Sequence, residues 1–416
     1  MKIAFFTHVF PPAIDGGSQI IAHLARQNAY QGGQSHVFTS NCHLSDEFVT
    51  GSPQPLSSHT ENSGVAVSRF PVTSQLRPFF KPLNFHSFLD PLRFGPIFSL
   101  SSLTKIKKEI SLFNPDLILA GPFPTAQNLL ALYFSKTLRR PLLLLPCFHP
   151  TEASFSSPLL RLCLKKATKI IALTQAEASL YQKMGLPQSK VAIIPAGVQA
   201  ALLSPHSPKS KSPTKSTRHP NHPNPHPNFS PPSLLFLGSE SAHKNIPTLI
   251  EAFKILRHRY KYKNLKLLLG TVKTLHSPQI KKCISALPAK DRRFIVRRHS
   301  VRGAQKTTLL DQVTILVNPS SAESFGLVFL EAWARGKPVI GANIPAVKEL
   351  ITKNQGGLVS KEKDPSDLAK KIDTLLKDPA LAQKLGQNGY RAVTQKYLWS
   401  RIGETFFNLC QTLLPQ

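Results

Sequence analysis

The sequence predicts an α/β protein built from two doubly wound, Rossmann-like domains that face a cleft. Three observations carry this. A length of 416 residues suits two domains. Each half alternates short, continuous apolar runs with longer amphipathic stretches, the pattern of strands covered by helices on both faces. A Pro-rich, acid-free stretch at 204–232 separates the halves.

In the first half, strands are expected at 2–8, 35–39, 65–70, 117–120, 142–146, 169–173 and 191–194. Leu142–Leu145 is typical of them: four leucines with no alternation. Helices fall near 18–31, 99–113, 123–137, 156–167 and 174–185. The second half resumes with strands at 233–237, 265–269, 293–297, 313–317 and 338–341. Its helices are expected at 245–258, 277–287, 304–310, 326–335, 345–351, 365–376, 379–387 and 390–413. The division is therefore a domain over 1–203, a disordered Pro/His/Ser-rich linker over 204–232, a domain over 233–395 and a terminal helix over 396–416. Open sheets of this kind bind ligands beyond the carboxyl ends of their strands.

Composition narrows the classes. The five cysteines, at 42, 147, 163, 283 and 410, form no CxxC pair. That argues against a disulfide framework or a zinc ribbon and for a reducing, cytoplasmic setting. No apolar run approaches the ~18 residues of a membrane span. The net charge is +30, and residues 254–306 hold 16 Lys and Arg against one acid, Asp291. Such a field favours anionic partners, an anionic membrane surface first among them. Nucleic acid is disfavoured, because no helix-turn-helix, zinc or RNP-like signature accompanies the charge. His206, His219, His222 and His226 lie in Pro-rich sequence that presents no fixed face to a metal.

Three segments carry candidate chemistry. Residues 11–17 (PPAIDGG) join the first strand to the first helix, where Gly16 and Gly17 allow close backbone approach and the helix start offers free N–H groups. Residues 238–245 (GSESAHKN) put Ser239 after a strand and Lys244 at a helix start, a poor place for a cation unless an anion is near. Residues 319–341 (PSSAESFGLVFLEAWARGKPVIG) are the most specific. Glu323 precedes a helix, and Glu331 interrupts its apolar run. A carboxylate there is costly unless hydrogen-bonded, and sugar hydroxyls are suitable partners. The amides of Ser324, Phe325, Gly326 and Leu327 sit at the helix start, where a phosphate binds well.

The run E-S-F-G-L-V-F-L-E followed by GKPVIG resembles the E-x7-E signature of the retaining glycosyltransferases of family GT4, which have the GT-B fold. Residues 1–25, the segment 172–198 with IPAGV, KNIPTLIEAF and LLDQVTILVNPS resemble further landmarks of that family, in order. The resemblance implies an enzyme that moves a hexose from a nucleotide diphosphate sugar to a hydroxyl acceptor on a glycan or a lipid-linked carrier. No cofactor is implied; the nucleotide sugar is a co-substrate. The first domain would take the acceptor, the second the nucleotide sugar, and the terminal helix would pack back on the first, anchored by Tyr397 and Trp399.

Carried over by residue, the resemblance makes Glu323, His149 and Lys244 catalytic, with His149 (in PCFHP) approaching the sugar. It assigns donor binding to Gly16, Gly17, Ser239, Ser324, Phe325, Gly326, Leu327 and Glu331, with Glu331 on the ribose. No DxD motif occurs, which implies chemistry without a metal. The chain departs from the family at Ser239, where Arg is usual, at the base-binding loop, where VRRHSVRG replaces a Gly-containing sequence, and in the length of the linker. A nucleotide-sugar epimerase and a nucleotide-sugar-binding protein with a decayed site are the alternatives. The expected location is the cytoplasm, peripheral on the inner face of the cell membrane.

The linker generates one prediction. Its composition cannot bury enough apolar surface to offset the entropy of ordering. Replacing 204–232 by a short polar spacer should leave the melting temperature within about 2 °C of the parent. A large loss in a thermal melt would show that the segment is structural.

Overall fold

A computed structural model describes residues 1–13, 16–42, 56–57, 59–62, 64–73, 97–98, 100–123, 125–148, 157–204 and 231–414. The chain divides into two compact units. Unit 1 holds Met1–Gly197, Ala322–Leu327 and Lys396–Gln416; unit 2 holds Val198–Ser321 and Val328–Gln395.

Unit 1 begins with β1 (Lys2–Phe6), α1 (Gly16–Tyr30), β2 (Gln34–Ser40), β3 (His59–Asn62), β4 (Val65–Phe70), β5 (Val72–Thr73) and β6 (Ile97–Phe98). It continues with α2 (Leu100–Phe113), β7 (Leu117–Ala120), α3 (Gln127–Thr137), β8 (Leu142–Leu144), α4 (Pro158–Lys166), β9 (Lys169–Ala172), α5 (Gln175–Lys183) and β10 (Val191–Ile193). Eight strands form one sheet in the order β10-β9-β8-β7-β1-β2-β4-β3, parallel except for β3 on β4. β5 and β6 pair separately as a short antiparallel ribbon.

The central strands β1, β7 and β8 are apolar on both faces because helices cover both, and Phe5, Phe6, Leu119 and Leu143 are fully buried. α1 buries Ile20, Ile21, Leu24, Ala25 and Asn28 on one stripe. Thr174 caps α5 by accepting from the Glu177 amide at 3.0 Å.

Unit 2 contains β11 (Ser233–Ser239), α6 (Ile246–His258), β12 (Lys266–Val272), α7 (Ser277–Ser285), α8 (Ala289–Arg292), β13 (Ile295–His299), α9 (Gly303–Gln312) and β14 (Ile315–Asn318). After α10 (Leu327–Ala334) come β15 (Val339–Ala342), α11 (Pro345–Asn354), β16 (Gly357–Ser360), α12 (Pro365–Lys377) and α13 (Pro379–Lys396). Six parallel strands run in the order β13-β12-β11-β14-β15-β16. Leu234, Phe236, Ile250, Phe253, Leu267 and Leu269 form the centre of the core.

The last helix, α14 (Trp399–Gln411), belongs to unit 1. Trp399 stacks on His23 of α1 with ring centroids 4.6 Å apart. Gly197 has no side chain because a Cβ would lie 2.8 Å from Ile402 and 3.2 Å from Trp399.

Two expectations need correction. The break expected between helices 379–387 and 390–413 is absent, because α13 runs through Gly389. That glycine makes room for packing and does not end a helix: a Cβ there would lie 2.2 Å from Trp333 Cδ1. The chain turns at Leu398 instead, which is extended. β16 was not anticipated, nor were β3, β5 and β6. β16 opens on Gly357, where a Cβ would stand 2.0 Å from the Val339 carbonyl oxygen, so close strand approach explains the glycine. Residues 205–230 of the expected linker lie outside the described residues.

Glu177 ties three elements of unit 1 together. Its carboxylate accepts from the Phe148 amide (2.9 Å), the Leu173 amide (2.7 Å) and the Tyr181 hydroxyl (2.6 Å). Burial outweighs these bonds and raises the carboxyl to about 6. A folded-state value above the unfolded one contributes stability below the unfolded value, and that contribution is lost as pH rises through about 6. Glu177→Gln turns one acceptor oxygen into a donor facing other donors, and should cost about 1–3 kcal/mol. In denaturant titrations the variant should also lack the wild-type fall in stability between about pH 4.5 and pH 6.

Candidate functional site

Two of the sequence-predicted residues of unit 2, Ser239 and Lys244, lie at and just past the carboxyl end of β11, which neighbours β14 in the sheet. Ser239 closes β11, and its hydroxyl lies 2.8 Å from that of Ser241. A single 3-10 turn, Ala242–Lys244, follows. Asn245 then adopts a left-handed conformation (φ 49°), and α6 begins. The Asn245 side chain does not cap α6. It donates to the Pro319 carbonyl at 3.1 Å, while the Ser321 amide donates to the His243 carbonyl at 2.8 Å. The turn bearing Lys244 is thereby fastened to the segment that leaves β14 toward Glu323.

Residues 322–327 pack within unit 1, where buried Phe325 meets Tyr397 edge-on at 6.0 Å. Glu323 and Ser324 are half-buried. Gly326 has φ 95°, a conformation that favours glycine and lets the chain swing into α10 at Leu327. Gly16 and Gly17 are the first two residues of α1, and a Cβ on Gly16 would meet no atom within 4 Å. His149 lies outside the described residues.

Glu331 sits one turn into α10 between fully buried Leu330 and Ala332. Its Oε1 accepts from Lys306 Nζ of α9 at 2.6 Å. Its Oε2 is buried and has no hydrogen-bond partner. The carboxylate is thus half-satisfied by the protein. The sequence reading expected hydroxyl partners for Glu331 and did not anticipate Lys306. The two are 25 residues apart on different helices, so no local spacing relates them. A buried carboxylate oxygen without a donor is costly, and a ligand hydroxyl or amide would relieve it.

A second network went unread. Glu240, fully buried directly after Ser239, receives a two-pronged bond from Arg297 of β13, with Nε–Oε1 at 2.8 Å and Nη2–Oε2 at 2.5 Å. Thr271 of β12 donates to the same carboxylate at 2.7 Å. Burial alone would raise the Glu240 carboxyl; the hydrogen bonds from Arg297, Ser277 and Thr271 outweigh it and hold it below the ordinary range. Alternation along β13 shows Arg297 pointing inward, a signal available in principle. Its partner could be found only from the fold. Among the described residues, no three His, Cys, Asp or Glu side chains converge on a metal-sized site.

Comparison with known proteins bears on the same segments. Residues 14–202 match the family described as Glycosyltransferase Family 4, and residues 220–392 match Glycosyl transferases group 1. The capsular polysaccharide biosynthesis glycosyltransferase CapM of Staphylococcus aureus is 26% identical over 186 residues, 44% of this chain and 46% of CapM. The D-inositol 3-phosphate glycosyltransferase of Arthrobacter sp. is 28% identical over 225 residues, 53% of this chain and 50% of that enzyme. The chain thus spans about half the length of the curated relatives it matches.

Solved structures share the fold over nearly the whole chain. Sucrose-phosphate synthase from Thermosynechococcus elongatus superposes with a TM-score of 0.73 at 18% identity, over 99% of this chain and 98% of that one. Anabaena HepE in complex with UDP-glucose gives 0.72 at 17% identity, over 99% and 100%. Two α/β units with these sheet orders, and family matches over 14–202 and 220–392, lead to one assignment: the chain belongs to the GT4-type glycosyltransferases of GT-B fold.

Proposed function

We propose that the protein is a retaining glycosyltransferase that moves a hexose from a nucleotide diphosphate sugar to a hydroxyl acceptor. The observation that carries this reading is Glu331. Its carboxylate is held at one oxygen by Lys306 and lacks a donor at the other. A ribose hydroxyl is the kind of donor this carboxylate lacks. HepE, of the same fold, was solved with UDP-glucose, and that agrees with a nucleotide sugar as donor.

The chemistry follows from where charge develops. As the anomeric carbon–oxygen bond to the diphosphate breaks, negative charge grows on the leaving oxygen and positive charge on the sugar. Lys244 and the amides of 324–327 stabilise the first by preorganised electrostatics. The family resemblance assigns Gly16 and Gly17, at the start of α1, to the same group. The acceptor oxygen bonds the anomeric carbon on the face the diphosphate leaves, and its proton passes to the departing phosphate oxygen. Glu323 and His149 orient the sugar. The acceptor is a glycan or a lipid-linked carrier. The decayed-site alternative rests on Ser239, which has no charge to offer a diphosphate.

The basic surface suits an anionic membrane. Of the sixteen Lys and Arg in 254–306, Arg257, Arg297 and Lys306 turn inward onto Asp291, Glu240 and Glu331. The others are exposed. Asp291, the segment's one acid, is buried. No helix among the described residues is long and apolar enough to cross a membrane. Peripheral attachment to the inner face of the cell membrane is the reading these charges support.

Glu331→Gln should weaken nucleotide binding by about tenfold or more with the fold intact, since charge-assisted bonds are lost. Glu323→Ala should lower kcat more than it changes KM, because the sugar's charge develops only in the transition state. Lys244→Ala should harm both. Calorimetric donor binding and turnover assays decide the matter; unchanged kinetics in the two glutamate variants would overturn the roles assigned to Glu323 and Glu331. In vesicle sedimentation, the protein should bind anionic phosphatidylserine vesicles and lose binding as salt is raised, at about 1 kcal/mol per engaged cation. Equal binding to neutral vesicles would contradict this.

A further inference from the structure

In unit 1, alternation sorts the side chains of β2 and β4 between two helices. On one face, Ser35 donates to the Ala25 carbonyl of α1. On the other, Ser68 donates to Glu109 of α2. Thr39, four residues after Ser35, therefore lies on the α1 face. Arg69, its partner in the β2–β4 register, lies there beside it. Both stand one residue from the carboxyl ends of their strands, the edge at which sheets of this kind bind ligands.

Arg69 is 4% exposed and Thr39 is fully buried. Arg69 Nη2 donates to the Pro11 carbonyl, in the segment that leads to α1. Arg69 Nη1 has no partner, and neither has Thr39 Oγ1. Elsewhere the inward arginines Arg257, Arg297 and Arg335 each meet a carboxylate. Arg69 meets none among the described residues, and burial pushes its guanidinium below the ordinary value with no acid to hold it up. A buried cation with an unused donor is costly, and so is an unmatched hydroxyl next to it. An oxyanion relieves both, because its oxygens accept from a guanidinium and from a hydroxyl at once. A neutral hydroxyl would fill the hydrogen bonds and leave the charge without a counterion.

Resting on the glycosyltransferase reading above, we propose that Arg69 and Thr39 form an anion subsite in unit 1, which holds a phosphate or carboxylate carried by the acceptor. The acceptor is then an acidic sugar derivative and not a neutral glycan. Arg69 is a specificity-determining residue: it reads the acceptor's charge and takes no part in breaking the donor bond.

The test titrates glucose 6-phosphate, glucuronate and glucose into the full chain at fixed ionic strength and follows the melting temperature, which a ligand of the folded state alone raises. At least one acidic sugar should stabilise the wild type at concentrations where glucose does not, and which of them acts separates phosphate from carboxylate. Arg69→Met should weaken that binding by about tenfold or more, the loss of a charge-assisted hydrogen bond. Thr39→Val, which keeps the shape and the charge, should weaken it less. Lys244→Ala should leave it unchanged, which separates this subsite from that of the donor diphosphate. A response to glucose equal to that of the acids overturns the proposal, as does no response to either acid, wild-type affinity in Arg69→Met, or loss of binding in Lys244→Ala. The wild-type comparison of acidic with neutral sugar stands even if Arg69→Met does not fold. Binding of UDP and GDP is measured alongside: its absence would overturn the donor reading, whereas its presence with no response to either acid would overturn this subsite alone.

Discussion

A carboxylate taken out of water must be given donors, and the inward-facing acids of this chain stand where one element lends donors to another. Glu177 joins the residues after β8 and β9 to α5. Glu240 joins the end of β11 to β12 and β13. Asp291 joins α8 to α6 through Arg257 and His258. Glu331 joins α10 to α9 through Lys306 but keeps one oxygen without a donor. Three of these carboxylates are saturated by the fold. The fourth has a donor at one oxygen and none at the other.

Parallel topology explains where the rest collects. Every strand of the unit 2 sheet points the same way, so the turns that follow them share one edge. Ser239, Thr271, His299 and Asn318 occupy the ends of four adjacent strands, β11, β12, β13 and β14. The bonds from Asn245 and Ser321 lock two of those turns to each other. Polar groups along that edge are positioned by rigid strands.

Much of this was legible in the sequence, for physical reasons. Strands buried on both faces read as unbroken apolar runs, so β1, β7, β8, β11 and β14 were found within a residue or three. Glu331 was conspicuous because a charge inside Leu327–Trp333 demands an explanation. What failed to register depends on contacts distant in sequence. Gly389 reads as a helix stop and is in fact a space for Trp333. β3 reads HTEN, with no apolar signature, and exists because β4 offers it an edge. Lys306 and Arg297 looked like two more cations in a run of sixteen. For Lys306, nothing in the spacing separates a cation aimed at a buried carboxylate from one aimed at water.

The departure at position 239 can now be weighed. An arginine there would bring a cation to the end of β11. The nearby guanidinium of Arg297 does not replace it, because both its prongs are committed to Glu240. Lys306 is committed to Glu331. Ser239 itself is turned toward the Ser241 hydroxyl. On the proposed reading, the charge that neutralises a diphosphate at these strand ends falls to Lys244, helped by the start of α6. Asn245 has spent its side chain on Pro319 and leaves that helix start without a side-chain cap. An uncapped helix start next to a lysine attracts an anion through amides and charge together. The loss of one arginine therefore concentrates donor binding on fewer groups; it does not abolish the means of binding, and Lys244 becomes the residue the site can least spare.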